Sequence, residues 1–78
     1  MMEKIKLIWD FRGADAHQIA EHHVKHLKEY ATANGLNENA TGVEKMSPLY
    51  SLAFFVVEKQ NMRVVRDALR PHRGEYVE

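Results

Sequence analysis

Alternating apolar and polar residues near the start of the chain predict a β-strand over residues 4–12. The apolar positions on one face are Ile5, Leu7, Trp9 and Phe11. The opposite face is mostly charged, with Ile8 as its apolar member. A period of two with one apolar side is typical of a strand that buries one face. Gly13 then ends the strand.

A long amphipathic helix is predicted from Asp15 to Gly35. We expect Asp15 to accept from the free amides of the first turn, and Gln18 to close a capping box. We expect Gly35 to end the helix in a left-handed conformation, with Leu36 folding back onto the last turn. At about 100° per residue, one stripe of this helix must pack on an apolar surface. The stripe consists of Ala16, Ile19, Ala20, His23, Val24, Leu27, Tyr30 and Ala31.

Two further strands are predicted after a polar loop over residues 37–42. Residues 43–46 form the first, which ends at Ser47-Pro48 because proline cannot continue a central ladder. Residues 49–58 form the second, and this stretch is apolar on both faces. Such a pattern indicates a strand that is covered on both sides.

The end of the chain predicts a short helix and a weak edge strand. Asn61 is expected to cap the helix, and Pro71 bounds it. The inner side of this helix is expected to be Met62, Val65, Ala68 and Leu69. Residues 75–77 supply the edge strand.

The resulting β-α-β-β-α-β order predicts an α+β, ferredoxin-like domain that spans residues 1–78. It has a four-stranded antiparallel sheet with two helices on one face, which leaves the other face open. The two-sided strand at residues 49–57 indicates that this open face is not solvated. A second copy packed sheet to sheet is the economical cover, so we expect a homodimer.

In element order and strand character, the chain resembles the dimeric α+β barrel superfamily, in which two ferredoxin-like subunits join their sheets. That superfamily includes small monooxygenases, isomerases and stress-response proteins. The resemblance covers nearly the whole chain and involves no residue motif, so it carries over no catalytic position. It implies a pocket between sheet and helices, or between subunits.

The amino-acid composition excludes several classes of function. The 78 residues contain no cysteine, which excludes disulfides and thiolate metal sites. Eleven basic and eleven acidic residues give no cationic footprint, so nucleic-acid binding is not expected. The longest apolar run, residues 52–57, is too short to span a bilayer, and no signal-peptide core is evident. We therefore expect a cytoplasmic protein with no membrane partner.

Several polar residues are candidates for binding a small organic ligand. The candidates are Asp10, Arg12, His23, Tyr50, His72 and Arg73. Asp10 and Arg12 share a strand face and need partners, which are each other, a second subunit or a ligand. The hydroxyl of Tyr50 needs a partner wherever it is buried. His72 and Arg73 follow the second helix in a basic segment suited to an anion, or to a solvated helix exit.

The histidines of the long helix suggest further chemistry. His23 lies inside the apolar stripe, which favours a core histidine or a general acid–base group. His22 and His26 are four residues apart and can bind one ion, with Glu29, His72 or a residue of the partner subunit as a third ligand. No cofactor is expected except zinc or another divalent metal at this pair. The alternative is that both side chains are simply solvated.

A small-ligand-binding domain is the favoured function, and whether it is an enzyme stays open. A histidine-based metal-binding module is the first alternative. RNA binding is another, because the RNA-recognition motif shares this element order, although its basic residue and glycine are missing here. A pH-responsive interaction protein is the last, because the chain carries five histidines.

Overall fold

A computed structural model describes residues 3–77 and confirms the predicted α+β architecture. Its strands are β1 (Lys4–Arg12), β2 (Thr41–Ser47), β3 (Tyr50–Glu58) and β4 (Arg73–Val77), and its helices are α1 (Ala16–Ala33) and α2 (Lys59–Leu69). A single 3₁₀ turn at Glu38–Ala40 precedes β2. The strands form one antiparallel sheet in the order β2-β3-β1-β4. The element order and this sheet are consistent with a ferredoxin-like fold.

The core lies between the sheet and the helices. Its buried residues are Ile5, Leu7, Trp9, Ala20, Val24, Leu27, Ala31, Ala53, Phe55, Val57 and Val65. The alternation in β1 therefore predicted its buried face correctly. The inner stripe of α1 is narrower than predicted, because Ile19 is 48% exposed. Ala20 lies at the centre of the buried stripe, and Ile19 lies about 100° around the helix from it. Ala68 of α2 is also exposed, since α2 buries only Val65.

The two ends of α1 differ in how well the sequence predicted them. The capping box is wrong: the Asp15 side chain makes no capping hydrogen bond, and only its carbonyl accepts, from the Ile19 amide at 3.0 Å. The backbone of Asp15 is not in the extended conformation that a capping side chain requires. The other end is as predicted. Gly35 has φ 68°, and the Leu36 amide donates to the Ala31 carbonyl at 2.8 Å, which is a Schellman motif.

Some element boundaries move from their predicted positions. β2 begins at Thr41, and β3 begins at Tyr50 because Leu49 is 61% exposed at the hairpin. Asn61 is inside α2 and does not cap it, since the helix begins at Lys59. The Lys59 amide donates to the Glu3 carbonyl at 2.9 Å, so a backbone acceptor replaces the expected side-chain cap.

The sheet face turned away from the helices carries charged side chains of the same chain that pair with one another. We call these residues the outer ionic layer, and they are Lys6, Asp10, Glu44, Arg73 and Glu75. Beneath them, Ile8 is 1% exposed and Leu52 is 4% exposed. The Lys6 ammonium is 2.7 Å from Glu44 and 4.6 Å from the centroid of the Phe54 ring. β3 is thus covered at Leu52 on its outer face without a second copy.

Close packing on this outer face also explains why residue 42 is a glycine. A Cβ atom at Gly42 would lie 2.6 Å from Cζ of Phe54, so the phenyl ring lies directly against the backbone of β2. Among residues 3–77, no helix combines the length and the apolar character needed to cross a membrane.

Candidate functional site

The predicted ligand-binding residues, apart from His23, come together at one end of the sheet. β1 supplies Asp10 and Arg12, and β3 supplies Tyr50 opposite Arg12. His72 precedes β4 and Arg73 begins it, opposite Ile8 of β1. Strand pairing therefore gathers side chains that are far apart in the sequence.

Arg73 and Asp10 form the centre of this group. The Arg73 Nε is 3.1 Å from Asp10 Oδ2, and its Nη2 is 3.2 Å from Oδ1. Arg73 also donates to Glu75 at 2.6 Å, while the Tyr50 hydroxyl donates to Asp10. The hydrogen bond from Arg73 lowers the pKa of Asp10, and the bond from Tyr50 adds to this against the effect of partial burial. The carboxylate in turn raises the pKa of Arg73.

These contacts leave the group poorly suited to binding an anion. The guanidinium of Arg73 already donates hydrogen bonds to two carboxylates and a hydroxyl. An incoming anion would therefore have to displace Asp10. Asp10 pairs with Arg73 and not with Arg12. The Arg12 guanidinium lies 4.2 Å from the centroid of the Tyr50 ring and makes no ion pair within residues 3–77. The group therefore holds β1, β3 and β4 together and covers Ile8.

His72 has a structural contact in this group. Its Nδ1 accepts from the Asp10 amide at 2.8 Å, and its own amide donates to the Ile8 carbonyl at 2.9 Å. The ring nitrogen thus takes the place of a backbone carbonyl at the end of the β1–β4 pairing. Because Nδ1 accepts, the proton of the neutral ring is on Nε2.

His23 lies on the helix side of the sheet, where the Phe11 ring is near both His23 and His72. Its ring is 5.0 Å from the Trp9 ring and 5.5 Å from the Phe11 ring, measured between centroids. Its Nε2 is buried and has no hydrogen-bond partner among the described residues. Burial lowers the pKa of His23, and the neighbouring His26, His72 and His22 lower it further. His23 therefore packs as a neutral aromatic ring.

The proposed metal ligands are only partly brought together. His22 Nε2 and His26 Nε2 are 3.2 Å apart on the exposed face of α1. Glu29 is exposed one turn further along. Within residues 3–77, no group of three or more histidine, aspartate or glutamate side chains is placed to hold a metal ion. One chain thus offers two nitrogen ligands.

The sequence reasoning missed a cavity at the other end of the sheet, where Lys4 pairs with Glu58. Its volume is about 320 Å³, and it lies where the end of α1, the 3₁₀ turn, the end of β3 and the start of α2 meet. Its apolar lining comes from Leu36, Ala40, Phe55, Val56 and Val57, and its polar lining from Lys4, Asn37, Glu58 and Asn61. The lining of this cavity is divided about equally between polar and apolar groups, and its volume lies at the lower end of the range for small-molecule sites.

The loop that forms one wall of this cavity is held by its own hydrogen bonds. Asn37 accepts from the Asn39 amide at 3.0 Å, and the Thr32 hydroxyl donates to Glu38 at 2.8 Å. The Schellman motif at Gly35 fixes the start of the loop. These turn signals are visible in the sequence, but the wall opposite comes from β3 and α2, which no local signal connects to them.

No protein-family model, curated protein or solved structure matches the chain.

Proposed function

We propose that the chain is a small-molecule-binding domain, and that its ligand occupies the cavity between β3, α2 and the end of α1. The observation that supports this most is the cavity itself, with a volume of about 320 Å³ and a lining of both apolar and polar groups. Pockets for small molecules span roughly 300–1,000 Å³, so this one suits a compact ligand of one ring.

The polar groups around the cavity favour a particular head group. Lys4 supplies a cation and Glu58 supplies an anion, while Asn37 and Asn61 supply amides. A head group with one charge would meet one favourable and one unfavourable side chain. A zwitterionic head group satisfies both, because each of its charges pairs with the opposite one. The proposed ligand is therefore an apolar molecule with an amino-acid-like head.

The wall of the cavity is preformed, which favours ligand binding. The loop over residues 34–40 is already fixed by the hydrogen bonds of Asn37, Thr32 and Leu36. A ligand that enters a preformed site does not have to order the chain, and that ordering commonly costs about 0.5–1.5 kcal/mol per immobilised side chain.

Dimerisation through the outer face, which the resemblance to dimeric α+β barrels implies, stays a prediction. Such a dimer would bury the outer ionic layer, and desolvating paired charges can cost more than their attraction returns. The cavity is formed within a single chain, so the proposed site does not require a second copy.

Three compounds that share a phenyl group test this proposal: L-phenylalanine, 3-phenylpropionate and phenethylamine. They differ only in a head group that is zwitterionic, anionic or cationic. Ligand-observed NMR is suitable, because compounds of this size often bind near 1 mM, or about −4 kcal/mol. We expect phenylalanine to bind most tightly.

A pair of variants places the binding in the cavity. Ala40→Leu fills space in the cavity, whereas Asn39→Leu adds the same side chain at the preceding exposed position. We expect the first to weaken phenylalanine binding at least tenfold and the second to leave it unchanged. Equal binding by both variants, or no binding by any of the three compounds, would contradict the proposal.

A further inference from the structure

The exposed histidine pair on α1 has the nitrogen–nitrogen separation of a metal chelate. The Nε2 atoms of His22 and His26 are 3.2 Å apart. Zinc–nitrogen bonds are about 2.0–2.1 Å, so two ligands on a tetrahedral ion are separated by roughly 3.3 Å. The two nitrogens therefore already lie at the chelating separation, and a turn of the rings that replaces their mutual hydrogen bond would direct both lone pairs at one ion.

One chain does not complete this site. Structural zinc sites have four protein ligands, and no third candidate is placed beside the pair among residues 3–77. The neighbouring His23 faces the core, where its Nε2 is buried. His17 is engaged with Glu21 at 3.1 Å, one turn nearer the start of the helix. The missing ligands must come from another molecule.

We propose that a second copy of this chain supplies them, so that one Zn²⁺ ion bridges two α1 helices through His22 and His26 of each. A two-fold arrangement uses the same surface on both copies and gives four imidazole ligands. The exposed side chain of Ile19 supports a second copy as the partner, because Ile19 lies only about 20° around the helix from His26. A facing helix would cover this apolar side chain at the same time.

Zinc titration of untagged protein, followed by sedimentation, tests this proposal, which is independent of the cavity. We expect zinc to double the mass observed with a chelator, at half an equivalent of zinc per chain. Cobalt in place of zinc should give the intense visible absorption of a tetrahedral ion. His22→Gln and His26→Gln should each weaken the association at least tenfold, while His17→Gln should leave it unchanged.

Three outcomes would overturn the proposal. The first is zinc bound at one equivalent per chain without a doubling of mass. The second is a doubling that persists when both His22 and His26 are replaced by glutamine. The third is no zinc retained above the amount held by that double variant.

Discussion

Replacing Leu52 by alanine tests whether the outer face of the sheet is covered by the chain itself. Leu52 lies on that face and is 4% exposed, beneath Asp10 and Glu44 on the neighbouring strands. The shorter side chain would leave a void under the outer ionic layer. Leucine-to-alanine changes at buried sites cost about 2–5 kcal/mol, so we expect a loss in this range.

That loss is large for a domain of 78 residues. Stabilities of about 0.05–0.15 kcal/mol per residue give a total of roughly 4–12 kcal/mol. With a urea dependence of about 1 kcal/mol per molar, a loss of 3 kcal/mol lowers the unfolding midpoint by about 3 M. If Leu52→Ala does not fold, Ile8→Val probes the same face and should cost about 0.5–1.5 kcal/mol.

Urea unfolding followed by tryptophan fluorescence is the assay, because Trp9 is the sole tryptophan and is buried in the core. The control is Val64→Ala on α2, which is 67% exposed and should change stability by less than about 0.5 kcal/mol. The reasoning is refuted if Leu52→Ala costs no more than this control. It is also refuted if, with a chelator present to exclude the zinc-bridged dimer, the unfolding midpoint of the native protein rises with protein concentration and that rise is lost when the outer face is substituted.

Three further changes follow from the same structure. His23 has a pKa below its usual 6.5 in the folded protein, so the unfolded chain binds its proton first; the free energy of unfolding should fall as the pH drops below about 6.5, and less so in His23→Phe, as pH-dependent urea unfolding would show. Gly35→Ala should cost about 1–2 kcal/mol, because φ is 68° although the added Cβ meets no atom within 4 Å; thermal unfolding measures this. Gly42→Ala should cost about 1–3 kcal/mol for the opposite reason, since its Cβ would press on Phe54, and a change in the Phe54 ring resonances should accompany it.

The fold could be predicted from the sequence because its elements follow strong local patterns. β1 alternates along its length, and Gly35 with Leu36 ends α1 by a local motif. At the start of α2 the prediction was wrong, because a contact from elsewhere in the chain decided the outcome. The cap expected from Asn61 was displaced because the Glu3 carbonyl accepts the first amide of α2.

The contacts of the group around Asp10 were harder to predict than the fold, because its residues meet only after folding. Asp10 and Arg12 share a strand face, so a pair between them was plausible, yet Arg73 from β4 binds Asp10 with two hydrogen bonds. From the apolar outer positions of β3 we expected cover by a second copy, and that dimer stays a prediction. Leu52 is nevertheless only 4% exposed within a single chain, between Asp10 and Glu44 on the neighbouring strands.

Chemical-shift mapping of phenylalanine binding tests the central claim most directly. Backbone amides of uniformly ¹⁵N-labelled protein are followed as L-phenylalanine is added. The account predicts that the largest shifts are at Leu36, Asn37, Ala40, Val57 and Asn61, which line the cavity. Largest shifts at the opposite end of the sheet, around Arg12, Tyr50 and Arg73, would contradict it.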